Sequence, residues 1–239
     1  MIMEEMTMKE FEEGLKITQT VYIPFGSVEE HGPHLPLSTD TIHAYEVGKK
    51  AAQIVPMFVA PPINYGNCRS TSTHPGTISI STATLKGILK DIVSSLRGHG
   101  IRNFLVLTGH AGGAHRMALQ DAGEELISTF PEVRMAVVTG YDLAYDEGKD
   151  IIETQGDSHA GEVETSMLLN SHPHLVKGSA EREFPDFPLG LLVRNKRKYW
   201  PGGVWGDPSK ASAEKGRLIE EILVRKVVDM VQRLENFEE

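Results

Sequence analysis

Three residues near the start of the chain have the types and spacing of metal ligands. Glu29, His31 and Asp40 lie in the segment GSVEEHGPHLPLSTD, directly after a short apolar run. Glu29 and His31 are two positions apart, so in an extended segment they project from one face, and Asp40 falls in the first turn of a predicted helix, where the helix dipole favours an anion. Carboxylates and imidazoles bind Zn, Mn or Fe(II) at hydrolytic centres. The pattern predicts such a centre. Taken one at a time, however, a Glu-x-His pair is typical of a surface loop, and an Asp at this position is typical of a helix cap.

Two later segments carry further candidates after apolar runs. His110 lies in TGHAGG, and His159 opens HAGEVETS, which also holds Glu162 and Glu164. Ligand sites of open α/β sheets lie beyond the carboxyl ends of the strands, so we expect these segments to meet. The glycines around His110 lack the spacing of a nucleotide-binding loop. Whether Glu162 or Glu164 faces the site stays open, and Glu162 is placed to orient the ring of His159.

Other polar residues have plainer interpretations. Cys68 is the single cysteine, and we interpret it as a small packed residue rather than a nucleophile. It is distant in sequence from the other candidates, so no structural zinc site with thiolate ligands is indicated. His43 and His115 lie one helical turn beyond Asp40 and His110, where they could support the ligands. No G-x-S-x-G motif marks a serine hydrolase.

Four apolar runs predict the strands that position these residues, at 21–25, 54–60, 103–108 and 134–139. Helical periodicity predicts helices at 41–54, 81–98, 113–130, 162–169 and 211–234. Strands that alternate with helices indicate an α/β fold whose parallel sheet is covered on both faces. We interpret 1–239 as a single domain with one irregular excursion at 177–210, which either closes over the site or forms a contact between subunits.

Composition excludes several classes of protein. The 239 residues carry 24 Lys and Arg against 33 Asp and Glu, a net charge of −9, which argues against binding to nucleic acid or an anionic membrane. No apolar run approaches the roughly 20 residues of a membrane span. The acidic N-terminal segment does not resemble a signal peptide, and one cysteine cannot form an internal disulfide. We therefore expect a cytoplasmic protein.

Taken together, the motif segments resemble the creatininase (creatinine amidohydrolase) family. The matching segments are Gly26–Asp40, Tyr65–Thr77, Thr108–Gly113, His159–Ser166 and Gly203–Gly216. The resemblance implies a three-layer α/β/α sandwich with a mostly parallel central sheet and a homo-oligomer, often a hexamer. It also implies hydrolysis of an amide-type C–N bond by a hydroxide held between two divalent ions. Zn is the expected metal, with Mn or Fe(II) as alternatives.

The resemblance also implies residue roles. Asp40 would bridge the two ions, and the remaining metal ligands would be Glu29, His31, His110 and Glu164. His159 would be the catalytic acid and base. Candidate substrate-binding residues in the matching segments are Ser70, His74 and Trp205.

One segment departs from the family pattern. Creatininase proper resembles Asn-Gly-His-Tyr-Glu-Asn there, whereas this chain has Ala111 and Gly112 after His110. The missing glutamate and tyrosine argue against creatinine as the substrate, while Glu164 can supply a carboxylate. A small cyclic amide or related compound is therefore expected. The alternatives are a formamide deformylase acting on a formylamino-pyrimidine nucleotide in flavin or deazaflavin biosynthesis, a peptidase that trims a modified redox peptide, and a metal-free binding module for small molecules.

Overall fold

A computed structural model describes residues 1–238, in which four strands form one parallel sheet. The strands are β1 (Thr20–Phe25), β2 (Phe58–Val59), β3 (Asn103–Thr108) and β4 (Arg134–Thr139), in the spatial order β2-β1-β3-β4. Phe25 of β1 pairs with Thr108 of β3, which pairs with Thr139 of β4. The carboxyl ends of β1, β3 and β4 therefore lie side by side, so the loops that follow these strands lie at one edge of the sheet.

Helices cover both faces of this sheet. They are α1 (Met8–Gly14), α2 (Thr39–Ala51), α3 (Thr82–Gly98), α4 (Gly113–Thr129), α5 (Gly140–Glu147), α6 (Glu162–Ser171) and α7 (Ala213–Glu235). Leu105 and Leu107 of β3 pack with α2, α5, α6 and α7, whereas Phe104 and Val106 pack with α1, α3 and α4, as the alternation of side chains along a strand requires. The three-layer α/β/α prediction is confirmed. Within residues 1–238, none of the helices combines the length and apolarity needed to cross a membrane.

The predicted elements differ from the structure at a few places. The strand expected at 54–60 is reduced to Phe58–Val59, and α2 ends at Ala51 rather than at Ile54. Pro56 and Pro61 flank this short strand, and proline cannot donate a hydrogen bond to a neighbouring strand. The sequence patterns also missed α1 and α5, which have seven and eight residues and so offer little periodicity.

The 177–210 segment is irregular, as predicted, apart from short 3₁₀ turns at Lys196–Lys198 and Pro208–Lys210. Its tip exposes Leu189 and Leu192 almost completely. Its later part is anchored in the fold, because Trp205 pairs with His159 through main-chain hydrogen bonds. This anchoring brings the end of the segment to the sheet edge described above.

Candidate metal centre

The level strand ends bring the candidate ligands together. Glu29 and His31 lie in the loop after β1, His110 follows β3, and Asp40 is the second residue of α2. A Cβ atom at Gly109 would lie 2.1 Å from the main-chain oxygen of Asp40. Glycine at the end of β3 therefore allows the start of α2 to approach the sheet closely.

The first donor group consists of His31, Asp40 and Glu164. His31 Nε2 lies 3.1 Å from Asp40 Oδ1 and 3.6 Å from Glu164 Oε2. The other ring nitrogen, Nδ1, donates to the main-chain oxygen of Glu29 at 3.1 Å. A carbonyl oxygen can only accept, so this bond leaves Nε2 of the neutral ring with a free lone pair directed at the carboxylates.

The second donor group consists of Glu29, His110, Cys68 and the shared Asp40. His110 Nδ1 lies 2.7 Å from Glu29 Oε2 and 3.3 Å from Asp40 Oδ2. Nε2 of His110 donates to the main-chain oxygen of Asn67 at 3.1 Å, which leaves Nδ1 as the lone-pair nitrogen. The two oxygens of Asp40 therefore face different donor groups.

The centre concentrates negative charge away from water. Glu29, Asp40 and Glu164 are each at most 8% exposed, and within residues 1–238 no Lys or Arg forms an ion pair with them. Buried carboxylates are costly unless a cation or hydrogen-bond donors balance them. In the protein alone, the imidazoles of His31, His110 and His159 supply the positive charge beside them.

The pKa values reflect this balance. Burial opposes ionisation of Glu29, but the charge of His110 and its hydrogen bond lower the pKa of that carboxyl to about 2. Burial likewise opposes the charge on His31 and His110, but the adjacent carboxylates raise both imidazole pKa values well above their ordinary range. Protons thus occupy the positions that a metal ion would compete for.

These observations test whether the residues suit divalent ions. Apart from the thiol of Cys68, the donors are carboxylate oxygens and imidazole nitrogens, the set that Zn and Mn accept. The ligand atoms of His31, Asp40 and Glu164 all lie within 4.8 Å of one another, and so do those of Glu29, Cys68 and His110. Main-chain carbonyls fix both histidine tautomers, as is usual for metal-bound histidine. The residues fit two cations.

His159 lies against the first donor group. Its ring centroid is 4.2 Å from that of His31, and its Nε2 donates to the main-chain oxygen of Glu30 at 2.7 Å. Burial and the charge of His31 act to lower the pKa of His159, but the Glu30 carboxylate and the other buried carboxylates raise it above its ordinary value. The side-chain oxygen Oε1 of Glu30 has no hydrogen-bond partner within residues 1–238.

The structure distinguishes between the two glutamates of α6. Glu164 faces His31 and accepts a hydrogen bond from the main-chain nitrogen of Ala160 at 2.5 Å. Glu162 points away: it accepts from the main-chain nitrogen of Thr154 at 2.7 Å and pairs with Lys215 at 2.6 Å. The expectation that Glu162 orients His159 was wrong, because the main-chain oxygen of Glu30 holds that ring instead.

The candidate substrate-binding residues have different surroundings. His74 is buried and its Nε2 donates to the main-chain oxygen of Trp200 at 2.5 Å. Trp205 packs at 5.9 Å from Trp200, centroid to centroid. Ser70 is exposed, and no described contact joins it to either donor group. Its role in binding substrate stays a prediction.

Sequence reasoning missed several residues at the centre. The buried Thr71, rather than Ser70, donates a hydrogen bond to Glu29. Trp200 is only 2% exposed, and its ring lies 5.2 Å from that of His159. Cys68 joins Glu29 and His110 although it is distant in sequence. The one signal for Thr71 and Cys68 was their place in the matching segment Tyr65–Thr77.

Gly112 has a steric reason to lack a side chain. A Cβ atom there would lie 2.4 Å from Nε2 of His110, much closer than a van der Waals contact. The ring orientation that directs Nδ1 of His110 at Glu29 and Asp40 therefore requires glycine. The glutamate that creatininase proper has at this position could not be accommodated here without moving the imidazole.

Comparison with known proteins gives a consistent assignment. The family described as creatininase, creatinine amidohydrolase, matches residues 4–231. A mycofactocin precursor peptide peptidase from Mycobacterium ulcerans is 34% identical, with 90% of this chain and 85% of the relative covered. Creatinine amidohydrolase from Pseudomonas putida is 27% identical, with 95% of each chain covered. These relatives are hydrolases.

Solved structures agree with the sequence matches. A crystal structure of creatinine amidohydrolase has a TM-score of 0.88 at 25% identity and covers 99% of this chain and 98% of its own. A creatininase described as the Mn form has a TM-score of 0.84 at 26% identity, and a variant of the Zn-Zn type has 0.81 at 26%; both cover 97% of each chain. The chain belongs to the creatininase family.

Proposed function

We propose that this protein hydrolyses an amide-type C–N bond of a small molecule with two divalent ions held between its donor groups. The observation that carries the proposal is the position of Asp40, whose Oδ1 faces His31 and whose Oδ2 faces His110. One carboxylate between two sets of ligands is the arrangement of a bridging ligand in two-metal hydrolases. Zn is the expected metal, with Mn or Fe(II) as alternatives; the Mn and Zn-Zn creatininases similar to this chain support that choice.

The ligands would divide between the two ions. Glu164 and His31 would hold one ion, Glu29 and His110 the other, and Asp40 both. Bound there, divalent ions polarise a carbonyl oxygen and lower the pKa of water to about 7. The tethers from His31 to the Glu29 carbonyl and from His110 to the Asn67 carbonyl keep both rings aligned, which limits reorganisation during the reaction.

His159 would transfer the proton to the leaving nitrogen. Its Nε2–H is committed to the Glu30 carbonyl, so Nδ1 is the atom that gains and releases a proton. An imidazole that titrates near neutral pH suits this role, and in the protein alone the neighbouring carboxylates raise the pKa of His159 above its ordinary value. Through Glu30, the loop that carries two metal ligands therefore also orients the acid.

Trp200 and His74 would form the wall of the site. Trp200 Nε1 donates to the main-chain oxygen of Val204 at 2.7 Å, and the Trp200 carbonyl accepts from His74. These bonds fix an aromatic surface beside His159 that would exclude water. Trp205 and Ser70 stay candidates for contacts with the substrate, and the 177–210 segment stays a candidate for either a cover or a subunit contact.

The substrate class follows from what the site lacks. Gly112 and Ala111 replace two side chains that the family's creatinine enzyme carries, so we propose another small cyclic amide or a formamide, including a formylamino-pyrimidine nucleotide. A peptide bond is the second candidate, because the relative that shares 34% identity is a peptide peptidase. A binding module without metal is the alternative outside enzymes.

Measuring metal content and hydrolysis on the same preparation tests the proposal. The purified protein is analysed for bound metals and then tested, with added Zn, Mn or Fe(II), on cyclic amides including creatinine, on formamides and on short peptides. We expect about two ions per chain and hydrolysis that chelation abolishes and metal restores. No bound metal together with no gain on metal addition would favour the binding module.

The remaining expectations are part of the same proposal. We propose a cytoplasmic homo-oligomer whose residues 1–239 form a single domain. Light scattering and size-exclusion chromatography measure the number of copies, and limited proteolysis tests whether the 177–210 segment is the one cleavable excursion of an otherwise resistant chain.

A further inference from the structure

Cys68 is buried in polar rather than apolar surroundings. Its side chain is 0% exposed, yet it belongs to none of the hydrophobic clusters formed by residues 1–238. Its sulfur lies with a carboxylate oxygen of Glu29 and a ring nitrogen of His110, all within 4.8 Å of one another. This environment does not suit a cysteine that only fills space, which was the sequence interpretation.

The main chain around Cys68 is fixed from several sides. The Cys68 nitrogen donates to Ser79 Oγ at 2.9 Å, and the Asn67 nitrogen donates to Nδ1 of His115 at 3.1 Å. The Asn67 carbonyl also accepts the Nε2–H of His110. Asn67 therefore orients the ring of His110, and the thiol of the following residue, Cys68, lies against the same donor group.

We infer that Cys68 Sγ is a ligand of the ion held by Glu29 and His110. This inference rests on the proposed metal centre and adds a ligand to it. On binding, the S–H bond breaks, the sulfur bonds to the metal as thiolate, and the proton passes to solvent. Atoms bonded to one zinc ion lie about 2.0–2.3 Å from it, so ligand atoms within 4.8 Å of one another need only small side-chain movements to share an ion.

A sulfur ligand would make the two metal positions unequal. The first donor group offers only oxygen and nitrogen, which Mn accepts, whereas thiolate favours softer ions such as Zn. The position at Glu29 and His110 would therefore select Zn or Co(II) over Mn. The position at His31 and Glu164 would be less selective.

Spectroscopy of metal-loaded protein tests this directly. Co(II) is loaded as the probe, and the near-ultraviolet region is examined for a thiolate-to-cobalt charge-transfer band; X-ray absorption of the Zn form is examined for a sulfur neighbour at about 2.3 Å. Cys68 is the single cysteine, so a thiolate signal can come only from it. We expect both signals in the native protein and neither in Cys68→Ser.

Competition between Zn and Mn provides a second measurement. Cys68→Ser should lower the preference for Zn over Mn at one of the two positions by at least about 10-fold, because replacing a ligand should cost no less than the roughly 10–100-fold in metal affinity that losing a partner of a ligand costs. The other position should be unchanged. Equal preference in the native protein and the variant would contradict a sulfur ligand.

The outcomes separate this inference from the proposed function. Two bound ions with only oxygen and nitrogen neighbours would overturn the sulfur ligand and leave the hydrolase proposal standing. A native protein that binds neither Co(II) nor Zn would overturn both. If Cys68→Ser does not fold, the native spectra still decide, because the presence or absence of a sulfur neighbour needs no variant.

Discussion

The two donor groups share Asp40 but are built from different parts of the molecule. In the first, Glu164 comes from the first turn of α6 and reaches His31 across the site. In the second, His110 follows β3, and Cys68 lies in a segment whose main chain is hydrogen-bonded to the side chains of Ser79 and His110. The second group is therefore fixed by the sheet edge, whereas the first depends on how a separate helix packs. Because the two groups are built separately, a substitution in one group should release the ion of that group and leave the other in place.

Removing the shared ligand should have the largest effect. Asp40→Asn leaves an amide, which has no charge and bridges two cations poorly, so both ions should be lost or held weakly. We expect activity to fall by roughly 10³-fold or more, since bound metals supply several kcal/mol of transition-state stabilisation. Metal analysis and kinetics measure the two effects, and circular dichroism checks that the variant is folded. A variant with native metal content and turnover would refute the bridging role.

Ligands that belong to one group should each affect one ion. Glu164→Gln should empty the first donor group and Glu29→Gln the second, so each variant should retain about one ion per chain. Glu162→Gln is the matched control on the same helix, because its carboxylate faces Lys215 and Thr154. The control should keep both ions. Loss of both ions in either ligand variant would mean that the groups do not bind independently.

His159 should affect the rate without changing metal content. His159→Ala removes the proposed proton donor, so we expect kcat to fall by roughly 10²–10⁴-fold, the usual contribution of general acid–base catalysis, with both ions retained. The pH–rate profile should lose the limb that reports the imidazole. His159 also lies within ligand distance of Glu29 and His31, so metal loss in parallel with activity would identify it as a ligand instead.

The same comparison explains what could be predicted from the sequence. The apolar runs of β1 and β3 are continuous and buried, so the strand ends and the ligands directly after them could be located. Asp40 was recognisable as a first-turn residue of α2, and the structure has it there. Glu29 and His110, the ligands of the second donor group that follow strands, could therefore be predicted from the sequence.

Other features depend on packing between distant elements. Glu162 and Glu164 lie two positions apart on α6, and only the orientation of that helix against α7 and its Lys215 decides which one faces His31. Cys68 reaches Glu29 through a loop with no periodic pattern. Trp200 and Trp205 lie in one irregular segment, so nothing local indicated that Trp200 packs on His159.

The smallest effect we predict concerns acid stability, through the imidazole that supports the second donor group. His115 is buried, its Nδ1 accepts from the Asn67 nitrogen, and its Nε2 donates to Thr108 Oγ1 at 3.1 Å. Burial, together with the charge of His110, lowers the pKa of His115 to about 3. In the unfolded chain it titrates near 6.5. Between these values the unfolded state binds the extra proton, so this contribution to stability is present above pH 6.5 and is lost as pH falls toward 3.

Comparing unfolding of the metal-free protein by urea at about pH 7.5 and 5.5 measures this contribution. The unfolded ring takes up its proton around pH 6.5, and one imidazole changes the free energy of unfolding by at most about 1.4 kcal/mol per pH unit. Over this interval the native protein should therefore lose about 1.4 kcal/mol more of its free energy of unfolding than His115→Gln. His99→Gln, at an exposed position, is the control and should follow the native protein. If His115→Gln loses as much stability as the native protein over this interval, folding does not lower the pKa of His115.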